Sequence, residues 1–183
     1  TICQICPLAR QTRLSFSSSN IKSTAILQLL HVDLWGPYKV KTHYGCTQFI
    51  TIVDDFSRFT WIQLIKFKSD AASVIENFIV YAEKQLKKSV LCIRSDNASE
   101  LCEGRLKIFL QNKGIAHQTS CAYTPQQNGV VERKHRHLLE TARALLFQSR
   151  VPDKYWGECV LCASYLINRM PLSSINNQLH INC

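Results

Sequence analysis

Apolar and polar positions alternate along much of this chain, and the period of the alternation changes from place to place. Residues 26–35, ILQLLHVDLW, carry a period of two and predict a strand with Leu27, Leu29, His31, Asp33 and Trp35 on one face. Gly36 and Pro37 end it. The runs QFITIV at 48–53 and FTWIQLI at 59–65 are rich in β-branched and aromatic residues, and DDFSR between them predicts a hairpin turn. The period then lengthens. Ala71, Val74, Ile75, Phe78, Ile79 and Ala82 recur at three and four, which predicts a helix over 70–88. VLCIR at 90–94 reads as a short buried strand, a helix over 103–113 stops at Gly114, and IAHQ at 115–118 is a last short strand.

A long helical stretch follows. Thr124, Pro125 and Gln127 fit a capping box with proline in the first turn, but Asn128-Gly129 interrupts it and offers a second start. Val131, Leu138, Ala142 and Leu145 form the apolar stripe, with Glu132, Arg136 and Arg143 on a neighbouring polar face. A final helix is expected over 153–169. The order is three strands, helix, strand, helix, strand, helices. A meander returned to the sheet by a helical crossover predicts a mixed α/β sheet with helices packed on it.

Composition narrows the class. With 183 residues, 46% of them hydrophobic and 19% charged, the chain has enough apolar surface for one domain with a real core. Twenty-two lysines and arginines against thirteen acids leave a net charge of +9, which favours a polyanionic partner, nucleic acid before an acidic membrane. No apolar run reaches the length of a membrane span, and TICQICPLAR carries neither an initiator Met nor the apolar segment of a signal peptide. The nine cysteines are odd in number and several sit inside apolar runs, as Cys92 and Cys121 do, which suits free thiols in a reducing compartment. SFSSSN at 15–20 reads as a linker.

Three acids stand out by position. Asp33 lies within the first strand, Asp96 ends the fourth, and Glu132 begins a helix, with 35 residues between the last two. Gathered together they would repel one another unless a cation intervened, and carboxylate oxygens suit Mg²⁺ or Mn²⁺. Each acid also has a plainer role: an Asp at a strand end commonly makes a turn, and a Glu in a first helical turn complements the helix dipole. Asp54 and Asp55 are better explained by the hairpin. Glu100 stays a rival of Asp96 on periodicity alone.

HVDLWGPY, FITIVDDFSRFTW, IRSDNASE, TPQQNGVVERKHRHLLETARALL and YWGECVLCASYLINRMP, in that order, resemble the integrase core of copia-type LTR retrotransposons, related to retroviral integrases. The resemblance covers residues 27–172. It implies a ribonuclease H-like fold, a mixed five-stranded sheet with helices on both faces, and a core domain over 26–172. Residues 1–25 would be the remnant of a zinc-binding module plus linker, and 173–183 a truncated tail. It implies a polynucleotidyl transferase for DNA integration, working by 3′-end processing and strand transfer with two Mg²⁺ or Mn²⁺ ions. The family's metal triad falls on Asp33, Asp96 and Glu132. Asn128, Gly129, Arg133, Lys134 and Arg136 would contact DNA, Arg136 foremost because it lies one helical turn from Glu132. The implied partners are transposon ends, target DNA and further copies of the chain, with no membrane. The implied setting is intracellular, in virus-like particles and the nucleus.

Cys3-x-x-Cys6 matches the end of the family's His-His-Cys-Cys module. The two histidines would lie ahead of Thr1, so this half-site is not expected to bind zinc. Cys159-x-x-Cys162, on a helix with apolar neighbours, reads as core. Two departures from the family stand near Asp96: Ala98 where glycine is usual, and Leu101 where phenylalanine is. Glycine admits backbone angles that alanine resists, so Ala98 is expected to disturb the turn beside Asp96. The chain therefore also admits a second reading, a catalytically silent transposon relic that keeps nonspecific nucleic-acid binding or core–core association.

Overall fold

The computed structural model describes residues 23–119 and 129–170. Five strands form one sheet: β1 (Leu29–Trp35), β2 (Gln48–Asp54), β3 (Thr60–Ile65), β4 (Cys92–Ser95) and β5 (Ala116–Thr119). Four helices pack on it: α1 (Ala71–Leu86), α2 (Gly104–Lys113), α3 (Gly129–Ser149) and α4 (Trp156–Ile167). The sheet order is β3-β2-β1-β4-β5. β1 and β2, and β2 and β3, pair antiparallel, while β4 joins β1 and β5 in parallel. This is the meander with a helical crossover that the strand order predicts. A short 3₁₀ turn leads into α1, another (Asp153–Tyr155) into α4, and one helical turn (Ser99–Cys102) precedes α2.

Helices cover both faces, because both faces are apolar. On one side Leu30 and Val32 of β1 and Ile50 and Ile52 of β2 meet Ile75 and Ile79 of α1. On the other, Phe49 and Ile62 meet Leu138 and Ala142 of α3 and Trp156 and Val160 of α4. Every residue of β2 is buried, as expected of a strand sandwiched between two helical layers. α1 buries the stripe read from its period, with Val74 packed at its edge. α2 stops at Gly114, which is left-handed at φ 67° and donates its N–H to Gln111 and Leu110.

Two details differ from expectation. Leu27 precedes β1 with φ 64° and packs in the α1-side core with Leu30 and Val32, not on the face of His31, Asp33 and Trp35. Strand alternation does not extend to a residue whose backbone has left the strand. Cys159 is buried as expected, but Cys162 is exposed, because Cys159 already lies at the edge of the stripe formed by Trp156, Val160, Ala163 and Ile167 and Cys162 falls beyond that edge. Both are free thiols, as are Cys46, Cys92 and Cys102. Cys3, Cys6, the 15–20 linker, the 124–127 capping box, Asn128 and the 173–183 tail lie outside the described residues.

Gly157 sets how closely α4 approaches the sheet. A Cβ there would come within 2.7 Å of Thr42 Cγ2 and 2.9 Å of Leu64 Cδ1. Gly157→Val should cost about 1–3 kcal/mol through overpacking, read as a lower urea midpoint. An unchanged midpoint would mean that α4 shifts freely on the sheet.

Candidate functional site

The site lies where β1, β4 and α3 face one another. Asp33 sits two-thirds along β1, on the side turned to α3 and α4, because its neighbours Val32 and Leu34 turn to the other core. Its Oδ1 accepts the Leu34 N–H at 2.9 Å, and its Oδ2 lies 3.3 Å from Nδ1 of His135 on α3. Asp96 follows the last residue of β4. Its Oδ1 accepts the Ala98 N–H at 3.2 Å, which steadies the turn into Ser99–Cys102. Its backbone carbonyl accepts from the Ser95 hydroxyl at 2.9 Å and the Cys102 thiol at 3.4 Å. Glu132 stands exposed in the first turn of α3.

These three acids share one electrostatic environment. Burial above all, then the charge of Asp96, then that of Glu132, push the Asp33 carboxyl up to about 6, against the Leu34 N–H that favours its charged form. They do not gather about a single point. Among the described residues no three Asp, Glu, His or Cys side chains stand close enough to hold one ion together. Mg²⁺ keeps several waters while taking only one or two carboxylates, so a site for it does not need all three acids about one point. The donor set, all carboxylate oxygen, fits a hard divalent cation, and Asp33 carries the excess negative field that such a cation would relieve.

Ala98 leaves the turn undisturbed. It is absent from the residues with positive φ, its N–H reaches Asp96, and its carbonyl accepts the Leu101 and Cys102 N–H groups. An L-residue therefore adopts this backbone without strain. Leu101 is fully buried in the α1-side core. The expected disturbance at Ala98 does not occur.

The basic candidates divide. Arg133 and Arg136 are exposed on α3, and the Arg133 guanidinium lies back over Gly129, the first residue of the helix. Lys134 is half-buried instead. Burial, then the charge of Arg58 in the β2–β3 turn, push its ammonium down to about 8. Asp54 and Asp55 belong to that turn, as their position implied. Asp54 Oδ2 accepts the Ser57 N–H and hydroxyl at 2.7 Å. Asp55 takes His31 Nε2 at 3.0 Å and Arg58 at 2.9 Å on one oxygen.

His135 was not among the residues singled out from the sequence. Its Nε2 meets the Thr51 hydroxyl at 2.8 Å, and burial pushes it down to about 4, so it is neutral at pH 7. The signal was present: 131, 135, 138 and 142 are spaced by four, three and four, which puts His135 on the buried stripe of α3. Thr51, inside the β2 run, gave no such sign.

The model for the integrase core domain family matches residues 24–125. The retrovirus-related Pol polyprotein from transposon TNT 1-94 of Nicotiana tabacum is 34% identical over 92% of this chain and 13% of that polyprotein. The chain thus spans about an eighth of the length of that curated relative. Among solved structures, the HTLV-2 integrase catalytic core domain in complex with magnesium superposes with a TM-score of 0.63 at 18% identity, covering 87% of this chain and 97% of that one. The simian T-cell lymphotropic virus intasome, in complex with PP2A regulatory subunit B56 gamma, gives 0.67 at 19% identity, over 91% of this chain and 57% of that one. The likeness to these structures is one of fold, the ribonuclease H-like sheet of integrase cores. This chain belongs to the integrase core domain family and matches the copia-type retrotransposon Pol polyproteins within it.

Proposed function

We propose that this chain is the catalytic core of a DNA-integrating polynucleotidyl transferase, acting on transposon ends and target DNA as a homo-oligomer. The observation that carries the reading is Asp33, a half-buried carboxyl on the central strand that feels both Asp96 and Glu132. The magnesium in the HTLV-2 core structure and the assembly named in the intasome structure lend support from the same fold.

Asp33, Asp96 and Glu132 would hold two divalent ions, Mg²⁺ or Mn²⁺, which supply Lewis acidity to an in-line displacement at a phosphodiester. The Leu34 N–H fixes one Asp33 oxygen and the Ala98 N–H fixes Asp96, so both carboxylates are oriented by backbone donors before DNA arrives. Glu132 is exposed in the first turn of α3. Arg133 and Arg136, both exposed on α3, would contact phosphates, which positions DNA without reading its sequence. Lys134, half-buried with the Arg58 charge nearby, would present less of its ammonium to DNA than the two exposed arginines. The attacking group is water in end processing and a DNA 3′-hydroxyl in strand transfer.

A disintegration assay with Mg²⁺ or Mn²⁺ tests this. Asp96→Asn should lower the rate by about 10³-fold, the order that removing one electrostatic stabiliser of a transition state costs. Equal rates in the two proteins would end the assignment. A wild-type chain that binds DNA but shows no metal-dependent cleavage would favour the silent relic, the reading that the departures near Asp96 raised and the unstrained Ala98 backbone weakens.

A further inference from the structure

We propose that the loop between β1 and β2, residues 36–47, is a second DNA-binding surface, which takes phosphates beyond the carboxylate site through Lys39, Lys41 and Lys66. The inference rests on the DNA-directed reading above, and on neither metal nor catalysis. The loop is built to hold its shape. The Tyr38 N–H donates to the Thr47 carbonyl at 2.7 Å and closes its base. At its tip the Thr42 hydroxyl accepts the Cys46 N–H, and the Thr42 carbonyl accepts the Gly45 N–H. Helix α4 then pins it: Trp156 Nε1 donates to the Val40 carbonyl at 2.8 Å, and Tyr38 packs 5.3 Å from the Trp156 ring. Tyr38, Val40 and Thr42 thus turn inward, which leaves Lys39, Lys41 and His43 exposed between them.

Lysines on a solvated face are ordinary, but these have a rigid carrier and few acids near them. A loop already ordered loses little freedom when a phosphate strand docks on it. Residues 36–47 contain no Asp or Glu. Lys66, just past β3, runs beside the loop tip, its Cε 3.8 Å from where a Gly45 Cβ would stand. Lys154 extends the patch, with its Nζ 5.4 Å over the Tyr155 ring and that ring 5.4 Å from His43. Of the acids on neighbouring elements, Glu158 lies 3.1 Å from His43 Nδ1, Asp70 accepts the Phe67 N–H, and Asp153 opens the turn before α4. Among the described residues no acid forms an ion pair with Lys39, Lys41, Lys66 or Lys154.

Position names the polyanion. β1 and β4 run parallel in a register that carries on toward Asp33 and Asp96, so both acids stand at the end of the sheet from which the loop departs. β3 ends there too, opposite the start of β2. Lys39 follows Asp33 by six residues, which puts it within about 20 Å of that carboxylate. DNA held at Asp33 reaches the loop after roughly six phosphate steps along one strand.

Binding of the full chain to a labelled duplex of mixed sequence, followed by fluorescence anisotropy across a salt series without divalent metal, tests this. One variant combines Lys39→Gln, Lys41→Gln and Lys66→Gln. The other combines Lys84→Gln, Lys87→Gln and Lys88→Gln, which removes the same charge from exposed positions at the opposite end of the sheet, before β4. In the first, the slope of log affinity against log salt should shrink by about 0.9 per lysine, and affinity near 0.1 M salt should fall by about 8-fold per lysine. The second should lose less than one such step. On the wild type, acetylation read by mass spectrometry should find Lys39, Lys41 and Lys66 shielded by the duplex and Lys84 and Lys88 still reactive.

Equal losses in the two variants, or equal reactivity of the two groups of lysines, would overturn the proposal. If the first variant does not fold, the acetylation pattern of the wild type decides. Shielding of the three lysines by acidic-lipid vesicles and not by the duplex would assign the surface to a membrane and reject it. A wild-type chain that binds no DNA rejects both this surface and the DNA-directed function. DNA binding that leaves the loop lysines reactive rejects this surface alone.

Discussion

Asp33→Asn should make the metal-free protein more stable at pH 7 and, at the same time, indifferent to Mg²⁺ or Mn²⁺. The Asp33 carboxyl rises from 3.8 to about 6 in the fold. A group that holds its proton more tightly folded than unfolded favours the fold at low pH, where both states are protonated. That contribution is lost as pH climbs through about 6. At 1.36 kcal/mol per pKa unit the loss is about 3 kcal/mol. Asparagine carries no charge to repel Asp96 and Glu132, and its carbonyl can still accept from Leu34. The variant should therefore lose the decline between pH 4 and 7 and gain up to about 3 kcal/mol at neutral pH, or roughly 2–4 °C per kcal/mol for a chain of this size. Metal reverses the order. At 100 times its dissociation constant a ligand stabilises by about 2.7 kcal/mol, and only the wild type should show it. Thermal melts with and without Mn²⁺, from pH 4 to 8, measure both halves. A variant that is less stable without metal, yet gains as much from Mn²⁺ as the wild type, would remove Asp33 from the site.

The second large effect should come from Asp55→Ala. Asp55 is 8% exposed and accepts from His31, Arg58 and the Ser23 backbone N–H. The His31 hydrogen bond foremost, with Ser23 and Arg58, holds its carboxyl well below the usual range despite burial. His31 is 1% exposed and its Nδ1 has no partner, so loss of Asp55 would leave both ring nitrogens unpaired. Removing one member of a buried pair costs about 3–5 kcal/mol, a large share of a total that is typically 5–15 kcal/mol. A lowered pKa has the opposite sign to that of Asp33. The stabilisation is complete above about pH 4 and drains as pH falls below it. Urea unfolding from pH 2 to 7 should show a loss near neutrality that narrows in acid. A deficit under 1 kcal/mol, with an acid limb parallel to that of the wild type, would show the network to be dispensable. The network bears on the site because it clamps the β2–β3 turn to β1 two residues before Asp33, aided by the Asp55 N–H on the Leu29 carbonyl.

Much of the fold was legible because its elements are local. The apolar run of β2 marks a strand buried on both faces, and the three-and-four spacing of α1 marks the face it buries. Gly114 marks the end of α2 because the chain there needs a left-handed residue. The failures have local causes too. Leu27 breaks the alternation because its backbone turns left-handed before β1 begins. Ala98 looked like a defect, but its turn runs through angles open to any residue.

From the sequence by itself came the strands and helices, the basic balance, the family resemblance and the positions of Asp33, Asp96 and Glu132. Only the tertiary structure decided which groups act on one another. Thr51 faces Asp33 through strand pairing, and His135 reaches both from a helix 84 residues after Thr51. It also decided that the three acids repel through space without closing on one point. Hydrophobic periodicity is written in neighbouring residues, whereas burial and Coulomb energy depend on distances that the chain sets only once it has folded.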